Sequence, residues 1–214
     1  MRQVNKGFSP RKFKKYKEAE PFLEERIGRY CSYCEMKLDN VPAVEHKVSK
    51  SEGGDELAWS NLLLSCFYCN SHKGHRVTAI NKDEFLWPDE DDTYHVFSYK
   101  QMMPILDEKY LRTQSQEIRQ KAENTYHLFR FDIDCKSWMR DRRIICRNEA
   151  RNLAIKYLKS LNEHVDDRAE YIACIVDLAK GYGFFSTWMA VFYNEKDVKE
   201  ALVYAFPGTD IVSY

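Results

Sequence analysis

The spacing of apolar residues divides the chain near residue 81. Upstream of it, short apolar runs alternate with turn residues. "AVEHKVS" reads as a strand, and "LLLSC" as a second apolar run too brief for a helix. Between them "SKSEGGDELAWSN" is a loop, with Gly53 and Gly54 supplying the turn. "FYCNSHKGH" then suits a short helix capped near Gly74. The order is strand, loop, strand, helix. Downstream, the period becomes helical. Ile118, Ala122, Thr125 and Phe129 share one face, and so do Ala150, Leu153, Ala154, Tyr157, Leu158 and Leu161. "RAEYIACIVDLAK" predicts a further helix stopped by Gly181 and Gly183. "NEKDVKEALVYAF" predicts a last one, with Asn194 as N-cap and Val198, Ala201, Leu202 and Ala205 facing inward. Between the two halves, "TYHVFSY" has strand-like aromatic composition. At the start of the chain, Ser9 and Pro10 have the form of an N-cap and first helical residue. The pattern predicts an α+β protein in three parts: an arm over 1–29, a small ββα unit over 30–80, and a mainly helical scaffold over 81–214.

Charge changes this picture in one place. Lys plus Arg and Asp plus Glu each number 33, so the chain is neutral overall and not a uniformly basic coat. Yet Arg2, Lys6, Arg11, Lys12, Lys14, Lys15 and Lys17 all precede the first acid, Glu18. Such a run is either a solvated face or a surface that contacts phosphate or a partner. The basic opening carries no apolar h-region, and the most apolar stretch, 181–193, is too short to span a bilayer. A cytoplasmic protein with no membrane contact is expected.

Seven cysteines without a secretory signal point to thiols or metal ligands rather than disulfides. Cys135, Cys146 and Cys174 stand singly and are expected to be buried small hydrophobes. The other four form two Cys-x-x-Cys pairs, Cys31/Cys34 and Cys66/Cys69. Two intervening residues let a tight turn aim both sulfurs at one ion. Four thiolates leave no open position for water, so the Zn²⁺ predicted here is structural.

A structural zinc has no use for the Glu45-His46 pair set between the cysteines, nor for Asn61 and Asn70. Phosphodiester hydrolysis does. It needs a base that works near neutral pH, the role that suits His46. It also needs a hard cation, Mg²⁺ or Mn²⁺, for which a carboxylate and a carboxamide oxygen are fitting ligands. If the strand bearing Glu45 lies against the helix bearing Asn70, the two can meet at one such ion.

The string C-x-x-C…E-H…N-L-L-L-S-C-x-x-C-N-S-x-K-G over residues 30–74 resembles the HNH endonucleases of the ββα-metal class with a zinc-stapled core. Within them it is most similar to the HNH nuclease subunit of Septu and retron-associated anti-phage defence systems. The resemblance implies that His46 is the general base and that Glu45 and Asn70 hold the catalytic divalent cation. It gives Asn61 the role of pinning the loop that orients His46, and it implies an ATPase partner. Two departures stand out. Glu45 replaces the aspartate of many HNH proteins, and Asn70 replaces the final histidine of the motif.

Around this core Lys73, Lys50 and His72 are the candidate nucleic-acid contacts, with DNA ahead of RNA as substrate. His75, like His72, could reach the phosphate or the cation, although a helix-end histidine beside lysine is usually solvated; His95, His127 and His164 lack a partner constellation. Trp59 reads as a core residue, and Glu35, Asp39 and Asp55 as surface charges. Two other classes stay open: a zinc-stapled nucleic-acid-binding module without catalysis, and a docking protein whose zinc only shapes a surface. They account for the cysteines and leave Glu45, His46, Asn61 and Asn70 to coincidence.

Overall fold

A computed structural model of the chain describes residues 1–39, 43–133, 141–163 and 166–210. Cys135 and His164 lie outside the described residues. Strand β1 (Ala43–His46) pairs antiparallel with β2 (Leu62–Ser65), with Glu45 opposite Leu63 and His46 opposite Leu62. All of β2 is buried, as expected of an apolar run covered on both faces. Helix α2 (Phe67–Lys73) follows at once and ends on Gly74. This is the strand, loop, strand, helix order that the sequence predicts.

The N-terminal residues wrap around this ribbon. Lys6 is buried, and its ammonium donates to the carbonyls of Trp59 and Leu62 (both 2.8 Å) and pairs with Asp89 at 2.7 Å. Trp59 Nε1 donates to Gly7 O, and the Trp59 ring stacks on Phe13. Trp59 is thus a core residue that fastens the arm. A 3₁₀ turn (Tyr16–Ala19) leads into α1 (Glu20–Ile27), which carries Pro21 in its first turn. No helix begins at Ser9–Pro10: packing of Phe13 takes precedence over that local signal, and Ser9 Oγ donates to Arg11 O instead.

A two-residue hairpin, β3 (Phe97–Ser98) with β4 (Ile105–Leu106), is all that becomes of the predicted aromatic strand. Short α3 (Glu108–Leu111) and α4 (Gln116–Leu128) follow, α4 capped by Ser115. Packing groups the chain differently from composition, because one hydrophobic cluster runs from Met1 through the ribbon to Phe131. A second cluster joins α5 (Arg142–Asn162), α6 (Arg168–Tyr182), α7 (Phe185–Val191) and α8 (Lys196–Ala205). Helix α6 runs through Gly181 to Gly183, and α8 is preceded by Glu195 rather than Asn194. Cys174 is exposed on α6 and Cys146 half-buried on α5, so neither is the core residue predicted. Among the described residues, no helix is long and apolar enough to cross a membrane.

The two clusters meet at the first cysteine pair. Glu35, expected at the surface, is buried, and its carboxylate accepts from Ser186 N (2.7 Å) and Ser186 Oγ (2.6 Å) at the start of α7. Its own carbonyl accepts from Phe184 N. Gly183 makes this approach possible: it has φ +76°, and a Cβ there would lie 2.6 Å from Glu35 O. Arg147 of α5 reaches Cys34 O at 2.6 Å.

Candidate active site

The four cysteines converge. Their Sγ atoms all lie within 4.8 Å of one another and all four residues are buried. The Cys34–Cys66 separation is 3.6 Å. A tetrahedral zinc with bonds of about 2.3 Å sets its sulfurs about 3.8 Å apart, so the set can hold such an ion. Cys66 also caps α2, its sulfur accepting from Cys69 N. Arg143, missed in the sequence, donates to Cys69 Sγ at 3.5 Å and to Phe129 O at 2.7 Å, and is braced by Asp141. It is a buried cation aimed at a thiolate ligand, an outer-shell contact that orients the ligand and offsets its charge.

His46 closes β1, and its ring is held on two sides. Nε2 lies 3.1 Å from Glu56 O. A carbonyl can only accept, so Nε2 carries a proton, and in the neutral ring Nδ1 is then the nitrogen with the lone pair. The Tyr16 ring packs against the imidazole with centroids 4.8 Å apart. Asn61 fixes the loop that supplies Glu56. Its Oδ1 accepts from Val48 N, and its Nδ2 donates to Val48 O and Asp55 O, each at 2.9 Å. Val48 O closely approaches Gly54, a position where any Cβ would collide with it. His75, at the far edge of the loop, lies 3.1 Å from Ser51 Oγ and 3.3 Å from Glu52.

Strand alternation sends Glu45 the opposite way. It is 2 % exposed, and both carboxylate oxygens are taken. Tyr33, between the first two cysteines, donates to Oε2 at 2.5 Å. Lys73 Nζ lies 2.9 Å from Oε1, an ion pair without good hydrogen-bond alignment. Burial pushes the Glu45 carboxyl above its ordinary value, while Lys73 and Tyr33 pull it back. Burial and the Glu45 charge together keep the Tyr33 phenol neutral, as a donor must be.

This placement gives two of the expected site residues other partners. Lys73, predicted to meet phosphate, is 2 % exposed and serves as the counter-ion of Glu45. Glu45, predicted to meet a divalent cation, meets that ammonium; a metal ion could reach it only by displacing Lys73. Asn70 lies one turn before Lys73 on α2 and is exposed. It opens onto a cleft of about 630 Å³ that is also lined by Asp39, Ser65, Phe67, Arg142 and Glu149, and by neither Glu45 nor His46. The structure therefore joins Glu45 to Lys73 and His46 to the Asn61 loop, and no hydrogen bond or ion pair among the described residues joins these groups to Asn70.

The remaining candidates are peripheral. Lys50 is exposed and pairs with Glu56 at 2.7 Å. His72 is half-buried, and burial lowers its pKa, with Arg143 adding to the effect. His95 pairs with Asp92 and His127 with Asp132, so each has an acidic partner after all. Asp55 accepts from Leu57 N and Ala58 N within the loop. No sequence signal pointed to Tyr16, Arg143 or Arg147, whereas Tyr33 had a positional hint, its place inside a Cys-x-x-Cys turn.

No curated protein and no solved structure matches the chain. Residues 31–76 match the family model described as HNH endonuclease, a span that contains both cysteine pairs, Glu45, His46, Asn61 and Asn70. With its four-cysteine cluster and ββα order, this segment is an HNH endonuclease domain.

Proposed function

We propose that the chain is a divalent-cation-dependent endonuclease that hydrolyses phosphodiester bonds, DNA ahead of RNA, with His46 as general base. The orientation of the imidazole carries this reading: Nε2 is committed to Glu56 O, which leaves Nδ1 to take a proton from water. The resulting hydroxide attacks phosphorus and the bond to the leaving oxygen breaks. Asn61 acts through the loop, holding the backbone on which His46 depends. Glu45 and Asn70 are the proposed ligands of Mg²⁺ or Mn²⁺, which when bound would offset the charge developing on the phosphoryl and leaving oxygens. Glu45 fills that role only when Lys73 swings aside, a movement its long, flexible stem permits. Lys73, once released, joins Lys50 and His72 as a phosphate contact. Cys31, Cys34, Cys66 and Cys69 hold structural zinc.

The resemblance to the Septu and retron-associated nucleases supports a finer proposal. The chain would be the cytoplasmic effector of a bacterial anti-phage defence complex, restrained by an ATPase partner that docks on the helical half.

One observation favours the alternative of a zinc-stapled nucleic-acid-binding module without catalysis: both Glu45 oxygens are engaged inside the protein. The deciding comparison is wild type against His46→Ala, assayed for cleavage with Mg²⁺ or Mn²⁺, with zinc content measured in both. Cleavage lost with zinc retained supports the nuclease. Equal cleavage by the two proteins removes His46 from the mechanism, and no cleavage by either favours the binding module.

A further inference from the structure

The segment that delivers Tyr16 to His46 is also the most cationic stretch of the chain. Arg11, Lys12, Lys14, Lys15 and Lys17 are all exposed. Glu18 takes Arg11 at 3.3 Å. Among the described residues none of Lys12, Lys14, Lys15 and Lys17 has an acidic partner. Lys15 and Lys17 directly flank Tyr16, whose ring packs on the His46 imidazole.

The segment is not a loose tail. Lys6 is bonded to carbonyls just before and at the start of β2, Trp59 holds Gly7 O, and Phe13 stacks on Trp59. Arg26 of α1 donates to Lys6 O at 2.7 Å and also to Phe8 O. A free basic tail is ordinarily a solvated one. Here buried contacts anchor the backbone that carries the four unpartnered lysines, and Tyr16 of the same segment packs on the candidate base.

We infer that residues 11–17 are a phosphate track that binds the backbone of a nucleic acid and leads it to His46, with Tyr16 as the junction between track and base. The inference rests on the nuclease reading for where the track leads, and on the arm's own charge and anchoring for what it binds. Phosphate contacts of this kind position the substrate and do not select its sequence.

The test uses the full chain carrying His46→Ala, so that bound substrate is not consumed. A second protein adds K12A, K14A, K15A and K17A. Affinity for fluorescent duplex and single-stranded DNA is measured by anisotropy between 50 and 200 mM salt, without added divalent cation. Four phosphates neutralised on duplex contribute a slope of about −3.6 in log affinity against log salt. Over that fourfold range the parent should lose on the order of 10²-fold more affinity than the four-lysine variant. At the lowest salt the variant should bind far more weakly, with a nearly unchanged melting temperature because these side chains are exposed and make no ion pair among the described residues.

Equal slopes and affinities in the two proteins would overturn the inference, as would a parent with no affinity for either DNA. Cleavage by the otherwise wild-type chain separates the two ideas. Arm-dependent binding without cleavage in any cation removes the nuclease reading and leaves the binding surface standing. Cleavage with the same KM in the arm variant removes the track and leaves the nuclease.

Discussion

Lys73 is the residue whose removal says most about the site. Lys73→Met keeps the length of the stem and deletes the ammonium 2.9 Å from Glu45 Oε1. The carboxylate left behind is 2 % exposed and retains a single neutral donor, Tyr33. Removing one partner of a buried ion pair costs about 3–5 kcal/mol, because the other charge is left uncompensated. For a domain of this size each kcal/mol moves the melting temperature by about 2–4 °C, so a fall of about 6–20 °C is expected. Glu45→Gln combined with Lys73→Met removes both charges and should recover most of that loss, since the cost lies in the stranded carboxylate. Thermal unfolding of the four proteins, followed by circular dichroism, gives the coupling energy as a double-mutant cycle. Adding Mn²⁺ then asks whether Glu45 can be a cation ligand. If it can, the single variant gains more than wild type, by about 2.7 kcal/mol at a hundredfold excess over Kd. The double variant gains nothing. A single variant that melts within about 2 °C of wild type would refute the buried pair. A single variant indifferent to Mn²⁺ would remove Glu45 from the cation site.

Asn61→Ala deletes three hydrogen bonds of 2.9 Å to Val48 and Asp55, and should cost about 2–3 kcal/mol in urea unfolding at about 1 kcal/mol each. Cleavage should fall with it, because Glu56 O no longer holds the His46 ring; a loss under about 0.5 kcal/mol would show that the loop holds itself. Gly183→Ala should cost at least about 2 kcal/mol, since a Cβ there meets Glu35 O at 2.6 Å with φ at +76°. Gly181→Ala, with nothing within 4 Å and a helical backbone, should be neutral or stabilising by up to about 1 kcal/mol; equal melting of the two variants would contradict the docking described. Cys66→Ser should lower both bound zinc, by elemental analysis, and melting temperature, and a chelator should do the same to wild type. Unchanged zinc content in the variant would refute the four-thiolate site.

The ββα unit was legible because each of its signals is local. Paired cysteines, turn glycines and an apolar four-residue run place the ribbon and α2 without reference to anything distant. The long helices were legible for the same reason, through Ala150, Ala154, Val198 and Leu202. What escaped were contacts between residues far apart in sequence. Glu35 and Ser186 are 151 residues apart, and Arg147 and Cys34 are 113 apart, so Glu35 looked like a surface charge and Arg147 carried no signal. The false helix start at Ser9–Pro10 failed for a related reason: a local cap signal was overruled by Phe13 packing on Trp59. Adjacency misled in the site itself. Glu45 and His46 stand side by side in sequence, yet a strand of period two points them to different neighbours, Lys73 and Tyr16.

That separation also explains how the rest of the chain bears on the site. A single knuckle, Cys31 to Glu35, is bonded to β1, β2, α5 and α7. Tyr33 within it donates to Glu45 on β1, and its Cys34 carbonyl holds Arg147 of α5. Its Glu35 carboxylate caps the start of α7. Four thiolates around a divalent ion carry a net negative charge, and Arg143 supplies a buried positive one directly at Cys69. The helical half therefore contributes charge to the metal site as well as apolar cover, and the metal site in turn fixes the donor that holds Glu45. Zinc at this position would act beyond the stability of a small module. By fixing the knuckle it would set the strand on which His46 is presented and the surface against which the helices dock.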